Sequence, residues 1–373
     1  MTQALNVAVV GLGIGKAHIA EGYAKHPDKF RVLAICDLDP KRLAAVGDEF
    51  QVPRRSTSFD EVLGMANVDV VDICTPPGLH VPQTLAAIAA GKHAICEKPL
   101  AGSLADVDKL IAVQRRAKHR IMPVFQYRFG NGLQKAKRIV DLGLAGKPYL
   151  ATIETAWKRT AAYYAVPWRG KWETELGGVL LTQAIHSHDI LTYLMGPIAS
   201  VFARTATRVN KIEVEDCAVA SLAMKSGALV SLAATLGSQV EISRLRFCFE
   251  NVTFESALAP YSPGDDPWTI TPASPAAEAR IGRALEDWRL VPSRFEGLLA
   301  SYHAAVVDGG PLPVTLADAR QSLELVTALM HSAETGTAVA LPIGAKHPKY
   351  RSWRPRKQTM RKPRKTQRTA GRR

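Results

Sequence analysis

The apolar positions of this 373-residue chain fall into two patterns, and the change lies near residue 128. In the first third, short apolar runs alternate with stretches of helical spacing. Val7–Val10, Arg31–Cys36, Val68–Cys74, His93–Cys96 and Ile121–Phe125 read as strands. The stretch from Ile19, Val81–Ala90 and Leu104–Lys118 read as helices. Alternation at this spacing predicts parallel βαβ units, hence an α/β Rossmann domain with a doubly wound parallel sheet over residues 1–127. A linking helix follows at Gln134–Asp141, then a strand at Tyr149–Trp157 and one long helix over Gly178–Met195. Ser200–Arg208, Asp216–Met224, Ala228–Leu236 and Ser243–Phe249 read as strands with short turns, and Lys225-Ser226-Gly227 is a hairpin signal. This predicts an α+β domain with a mostly antiparallel sheet over residues 128–345. Its strands are apolar or small on both faces, so both should be covered, one by helix and the other by a second subunit. Residues 256–275, with five prolines, read as a loop. Helices near Arg294–Val307 and Leu316–Thr335 close the domain.

Ligands bind doubly wound sheets at the carboxyl ends of the strands. The residues there are Gly11, Asp37, Thr75-Pro76, Glu97-Lys98-Pro99 and Gln126-Tyr127-Arg128. The first strand runs into Gly11-Leu12-Gly13-Ile14-Gly15 and then a helix. Strand, glycine turn and helix is the context in which such a motif cradles a dinucleotide pyrophosphate. Lys16 stands where the pattern G-x-G-x-x-G would have its third glycine. Asp37 follows the second strand, where an acid accepts the ribose hydroxyls and repels a 2′-phosphate. That favours NAD, with Lys41 and Arg42 near enough to keep NADP open.

Composition changes this picture only at the C-terminus. Nearly half the chain is hydrophobic, at 47%, which suits two cores. No run of about 18 apolar residues signals a membrane span and no secretory leader is visible. Cys36, Cys74, Cys96, Cys217 and Cys248 show no C-x-x-C or zinc spacing, so no metal is expected, and thiols of this kind suit a cytoplasmic protein. The net charge of +14 is concentrated: residues 346–373 hold thirteen lysines and arginines and no acid, leaving residues 1–345 close to neutral. This basic tail should be disordered. It reads either as a solvated extension or as a phosphate-binding arm for nucleic acid.

Two groups can carry proton chemistry. Lys98 sits at the sheet's ligand edge, where desolvation and a neighbouring nicotinamide would lower its pKa and let it exchange a proton with a substrate hydroxyl. The plain alternative is a surface lysine in a turn. On the long helix Thr182, His186, Asp189 and Tyr193 form one polar stripe on an otherwise apolar surface. Asp189 could hold the His186 imidazole in one tautomer, leaving it free to relay or accept a proton; a hydrogen-bonded core histidine is the alternative. Tyr163, Tyr164, Trp168, Arg169 and Trp172 suit either stacking on a sugar ring or anchoring a loop. Arg128 either binds a substrate carboxylate or locks the two domains together.

Gly11-x-Gly13 with His18, Thr75-Pro76 with His80, Glu97-Lys98-Pro99-Leu100, and Gly177-Gly178 leading to His186 and Asp189 together resemble the Gfo/Idh/MocA oxidoreductases. The resemblance covers residues 5 to about 343. It implies a Rossmann domain followed by a large open-faced sheet domain, a nicotinamide cofactor, a sugar, inositol or related polyol as substrate, and oligomers formed through the second sheet. It implies cofactor contacts from Gly11, Gly13, Ile14, Gly15, Asp37, Thr75, Pro76, His80, Glu97 and Lys98. Lys98 matches the family's catalytic lysine and His186 its active-site histidine; read from the residues themselves, Arg128, Tyr163, Trp168, Arg169 and Thr182 are the further candidates for contact with the substrate. Thr182 stands where many members have an aspartate, and Pro77 where many have asparagine. A dihydrodiol or imine-type reductase, and a regulatory dinucleotide-binding protein without catalysis, are the other readings of this fold.

Overall fold

The computed structural model describes residues 4–355. Six strands, β1 (Leu5–Val10), β2 (Phe30–Cys36), β3 (Arg54–Ser56), β4 (Val70–Ile73), β5 (His93–Cys96) and β6 (Ile121–Pro123), form a parallel sheet in the order β3-β2-β1-β4-β5-β6. Between them run α1 (Gly15–Glu21), α2 (Pro40–Glu49), α3 (Phe59–Gly64), α4 (His80–Ala89) and α5 (Leu104–Gln114). The doubly wound Rossmann fold expected from the alternation is the fold observed. Its central strands are largely apolar because helices cover both faces, with the buried Asp72 of β4 a polar exception. The helix starts are chemically marked: Asp39 accepts the backbone N–H groups of Lys41 and Arg42 ahead of α2, and Ser103 that of Asp106 ahead of α5.

After α6 (Asn131–Asp141) comes an eight-stranded sheet in the order β13-β12-β11-β7-β10-β9-β8-β14. Its strands are β7 (Pro148–Lys158), β8 (Ile198–Ala206), β9 (Cys217–Met224), β10 (Leu229–Thr235), β11 (Gly237–Phe249), β12 (Val252–Glu255), β13 (Thr269–Pro272) and β14 (Val339–Ala340). Only β7 and β10 pair in parallel; the other ladders are antiparallel. The hairpin at Lys225–Gly227 joins β9 to β10, with Gly227 at φ +90°. The residues expected to form a loop at 256–275 contain β13, an edge strand. Its prolines were misleading because Pro267 precedes it and Pro272 ends it, where a missing N–H costs little.

The long helix expected over Gly178–Met195 is two helices, α7 (Val179–Thr182) and α8 (Ile185–Met195). The break is a register slip: the Ala184 N–H reaches back five residues to the Val179 carbonyl at 2.8 Å. Glu215 caps α7, its carboxylate accepting the Gly178 and Leu180 N–H groups at 3.0 and 3.2 Å. The chain continues through α9 (Pro275–Leu285), α10 (Arg294–Val307) and α11 (Leu316–Thr335). A capping box at Thr315 and Asp318 starts α11.

One face of the large sheet packs against the helices. The other is open within the chain, and Val219, Leu229, Leu150 and Phe202 are exposed there; it is the face for which a second subunit is the expected cover. A cavity of about 380 Å³ lies on it, lined by Glu154, Arg204, Cys217 and Val219 among others. At the domain junction the Arg128 guanidinium makes two bonds to Asp189 on α8 at 2.6 and 2.5 Å and lies 3.1 Å from Asp318 on α11, while Arg320 on α11 reaches Asp108 on α5 at 2.7 Å. Residues 346–355, expected to begin the basic tail, are part of the body. Trp353 is buried and donates to the Leu176 carbonyl at 2.7 Å, and Tyr350 donates to Asp108 at 2.7 Å. These aromatic side chains outweigh the charge around them. The rest of the tail lies outside the described residues. Among the described residues no helix is long and apolar enough to cross a membrane.

Candidate active site

The carboxyl ends of β1, β4, β5 and β6 gather the predicted turns at one edge. Gly11 ends β1 at φ +89°, and a Cβ there would lie 2.6 Å from the Cys74 carbonyl oxygen, so only glycine fits. Gly13 is the opposite case: a Cβ would meet nothing within 4 Å. The loop backbone is therefore open at Gly13, as a pyrophosphate requires. Gly15, expected to touch the cofactor, has a packing role. A Cβ on it would strike Val9 Cγ1 at 2.7 Å, so its absence lets α1 lie close on β1. Ile14, 43% exposed, and Leu38, 83% exposed, present bare apolar surface beside the loop, suited to the flat face of a base. Leu38 was not singled out in the sequence, where an exposed leucine has no signature.

Asp37 holds the glycine loop from β2. Its Oδ2 accepts the Leu12 N–H at 2.8 Å and its Oδ1 the Asp39 N–H at 2.9 Å, while Arg42 Nη1 lies 3.2 Å from Oδ2. Oδ2 is thus filled by two donors, and Oδ1, whose further contact is only the longer one to Arg42 Nη1 at 3.5 Å, is the oxygen left for a ribose hydroxyl. An open glycine backbone, an anchored acid and apolar flanks fit a dinucleotide.

Two expected cofactor contacts are braces instead. His80 is buried between two strand-end turns, with Nδ1 2.7 Å from the Pro99 carbonyl and Nε2 2.7 Å from that of Thr75; as a neutral ring it donates its one N–H to one of these carbonyls and packs against the other. Burial holds its pKa below the usual histidine value, against the pull of both carbonyls. Glu97 is also buried, with Oε1 3.0 Å from His18 Nε2 and Oε2 accepting the Lys98 N–H at 2.9 Å. Thr75 donates to Gln83 Oε1 at 2.6 Å, and Pro76 remains exposed at the edge.

Lys98 stands at the end of this edge and crosses to the second domain. Its Nζ donates to the Thr182 carbonyl at 2.9 Å, one turn ahead of His186. Desolvation lowers its pKa below the usual lysine value, Glu97 opposes this, and the nearby Arg169 adds to it. His186 is buried, with its ring stacked on Tyr127 at 4.1 Å and edge-on to Phe125. Burial and then Lys98 hold its imidazole well below its ordinary pKa, so it is neutral. Its Nδ1 has no partner among the described residues. The expected support from Asp189 is absent because both carboxylate oxygens are taken by Arg128. The break between α7 and α8 also removes the uniform helical stripe on which that expectation rested. Arg128 is thus the domain lock, and its buried ion pairs leave it no part in substrate binding. The Thr182 hydroxyl has one hydrogen to give to either the Gly178 carbonyl or Gln183 Oε1, at 2.8 and 2.5 Å, so toward any further partner it can only accept.

Tyr163, Trp168 and Arg169 form one stack. The Arg169 guanidinium lies 3.9 Å from the Tyr163 ring centre and 4.4 Å from that of Trp168, and it bonds the Tyr163 hydroxyl. Gln183 Nε2 lies 3.3 Å from the same hydroxyl, which joins this wall to the Lys98 side. The sequence reading missed Arg159 and Gln183. Arg159 lies over the rings of Trp157, Tyr163 and Tyr261. Its position just past β7 was the available signal.

Comparison with known proteins gives this geometry a family. Residues 5–125 match the oxidoreductase family with an NAD-binding Rossmann fold, and residues 133–255 match the GFO/IDH/MocA C-terminal domain. The chain is 33% identical to the myo-inositol 2-dehydrogenase of Thermotoga maritima over 60% of this chain and 66% of that protein. It is 27% identical to a D-apiose dehydrogenase of Rhizobium rhizogenes over 83% of this chain and 89% of that protein. Among solved structures, the WlbA dehydrogenase of Bordetella pertussis, in complex with NADH and UDP-GlcNAcA, superposes with a TM-score of 0.79 at 30% identity, covering 92% of this chain and 100% of that one. The expectation drawn from the glycine turn, the Glu97-Lys98-Pro99 turn and the histidine helix therefore holds: this chain belongs to the Gfo/Idh/MocA family of NAD-binding oxidoreductases.

Proposed function

We propose that the chain transfers hydride between NAD and a CH–OH carbon of a sugar or related polyol, with Lys98 as its acid–base group. The observation that carries this reading is the reach of Lys98 from the cofactor edge to the Thr182 carbonyl, beside the turn that bears His186. NAD supplies the hydride acceptor when bound. In the oxidising direction the neutral amine of Lys98 takes the hydroxyl proton at Nζ, and burial favours that neutral form. His186 acts as a neutral imidazole, hydrogen-bonding the reacting hydroxyl. Its depressed pKa makes it a poor resident base, so the relay role considered from sequence gives way to orientation. The stack of Tyr163, Trp168 and Arg169 offers ring faces and a cation to a sugar. Because Asp37 keeps an anion at the ribose position, NAD is preferred over NADP, although Arg42 lessens the discrimination. The WlbA structure holds a carboxylated sugar nucleotide; Arg159 and Arg169 beside Lys98 favour including such acidic sugars among candidates. A second copy of the chain covers the open sheet face.

The experiment is a panel of myo-inositol, neutral aldoses and uronates, run with NAD and NADP, on wild type and Lys98→Ala. Loss of a proton-transfer group costs about 10²- to 10⁴-fold in rate. Turnover of an identified substrate by Lys98→Ala at the wild-type rate would remove Lys98 from the chemistry. Cofactor binding with no turnover of any candidate would favour the regulatory reading.

A further inference from the structure

We propose that His18 is a positioning residue for the proton-transfer step, carrying the placement of the cofactor helix α1 to Lys98 through Glu97. The proposal rests on the role given to Lys98 above. His18 lies on α1, seven residues after Gly11, and is wholly buried under the glycine loop. Its Nδ1 is 2.8 Å from Asp72 Oδ2 on β4, and its Nε2 is 3.0 Å from Glu97 Oε1 beyond β5. The other Glu97 oxygen accepts the backbone N–H of Lys98 at 2.9 Å. A continuous line of bonds thus joins the cofactor helix to the turn that aims Lys98, whose Nζ is fixed on Thr182.

The remaining neighbours of the ring come from three other positions. Tyr23 donates to the same Asp72 oxygen at 2.9 Å, Cys74 Sγ lies 3.5 Å from Nδ1, and Phe295 of α10 packs on the ring at 4.3 Å. A neutral imidazole has one N–H and can donate to only one of two flanking carboxylates; an imidazolium donates to both. Desolvation works against the charge, but Asp72 and the other partners outweigh it and hold the His18 pKa well above the ordinary value. Packing alone does not call for such a group, since a buried ionic triad is commonly no more stable than apolar residues of the same volume. Its charge-assisted bonds do fix direction. Here they relate two elements that must be in register for a proton to leave the hydroxyl oxygen as a hydride leaves the carbon that bears it.

The test compares His18→Asn and Glu97→Gln, singly and combined, with Tyr23→Phe, which loosens the same cluster without touching Glu97. The full-length chain is used, on the panel member that wild type turns over best. Misplacement of a reacting group by about 1 Å costs on the order of 100-fold. Accordingly, kcat falls about 10- to 100-fold in both single variants, after normalising to sites titrated with NAD. NAD affinity changes far less than kcat, and the double variant falls no further than the worse single one, because both lie on one route. Tyr23→Phe lowers Tm without a matching loss of kcat. A second readout needs no turnover: acylation of Lys98 in the cofactor-free protein, followed by peptide mass spectrometry, speeds up in His18→Asn and Glu97→Gln but not in Tyr23→Phe. If His18→Asn does not fold, Glu97→Gln decides. Wild-type kcat and wild-type Lys98 acylation in Glu97→Gln and in any folded His18→Asn protein would overturn the proposal. An active Lys98→Ala enzyme would instead overturn the reading beneath it.

Discussion

The two walls of the cleft treat their polar groups differently. On the cofactor side the titratable groups Asp37, His80 and Glu97 are already engaged: Asp37 with the Leu12 and Asp39 N–H groups, His80 with the Pro99 or the Thr75 carbonyl, Glu97 with His18 and the Lys98 N–H. On the substrate side, buried polar atoms lack partners among the described residues: His186 Nδ1 and the Nε atoms of Arg159 and Arg169. An orphaned buried polar atom costs free energy unless something pairs with it. The cofactor edge therefore comes preorganised, with its shape complete without ligand. The substrate wall carries the loose polar ends that a hydroxylated ring can satisfy. Losing a paired group should cost stability first, whereas losing an unpaired one should cost turnover first.

The contact between the walls offers the largest test. Arg128→Met strands Asp189 as a buried, unpaired charge, and breaking such a pair costs about 3–5 kcal/mol. Urea denaturation should show that loss; an unchanged midpoint would mean the domains are held elsewhere. The next effect separates the walls. His186→Asn is expected to reduce kcat/KM by about 10- to 100-fold, the worth of about 1–3 kcal/mol of hydrogen bonding, with Tm nearly unchanged. His80→Ala should do the reverse, lowering Tm before turnover. If both variants lose Tm and activity in proportion, the contrast fails. A more modest shift is expected in Asp37→Ser, whose NAD-to-NADP ratio of kcat/KM should move toward NADP by roughly tenfold, as about 1.4 kcal/mol of lost discrimination implies.

A further test concerns pH. Burial pushes the Glu215 carboxyl up to about 7, above its usual 4.5. The folded state then holds a proton that the unfolded chain has released, so stability declines as pH rises from about 4.5 through about 7. Glu215→Gln keeps an acceptor for the α7 N–H groups and should flatten that part of the Tm–pH curve. An unchanged slope would place the titration elsewhere.

Much of the Rossmann half was legible because its signals are local. The run Val7–Val10 into Gly11, the acid after β2 and the spacing of Glu97-Lys98-Pro99 each depend on a few consecutive residues, and helix-covered strands need no partner to be recognised. The second half was legible in outline: β7 to β11, α10 and α11 lie where their patterns put them. Errors arose where distant residues compete for the same atom. The aspartate expected to orient His186 is claimed by Arg128, 61 positions away. The uniform helix over Gly178–Met195 is interrupted beside a cap from Glu215. Trp353 folds back onto the Leu176 carbonyl and draws part of the basic segment into the body.

By itself, then, the order of residues determined the outline of the two sheets and the glycine turn, because short-range pattern and backbone sterics suffice for these, while the lysine at the cleft was singled out by the likeness of its turn to a family motif. Only the tertiary structure decided which partner each buried charge takes, and therefore which of His18, His80, Glu97, Arg128 and Asp189 brace the site and which groups are left to meet a substrate. A carboxylate can satisfy only a few donors at once, and which donors come within reach is settled when the two domains pack.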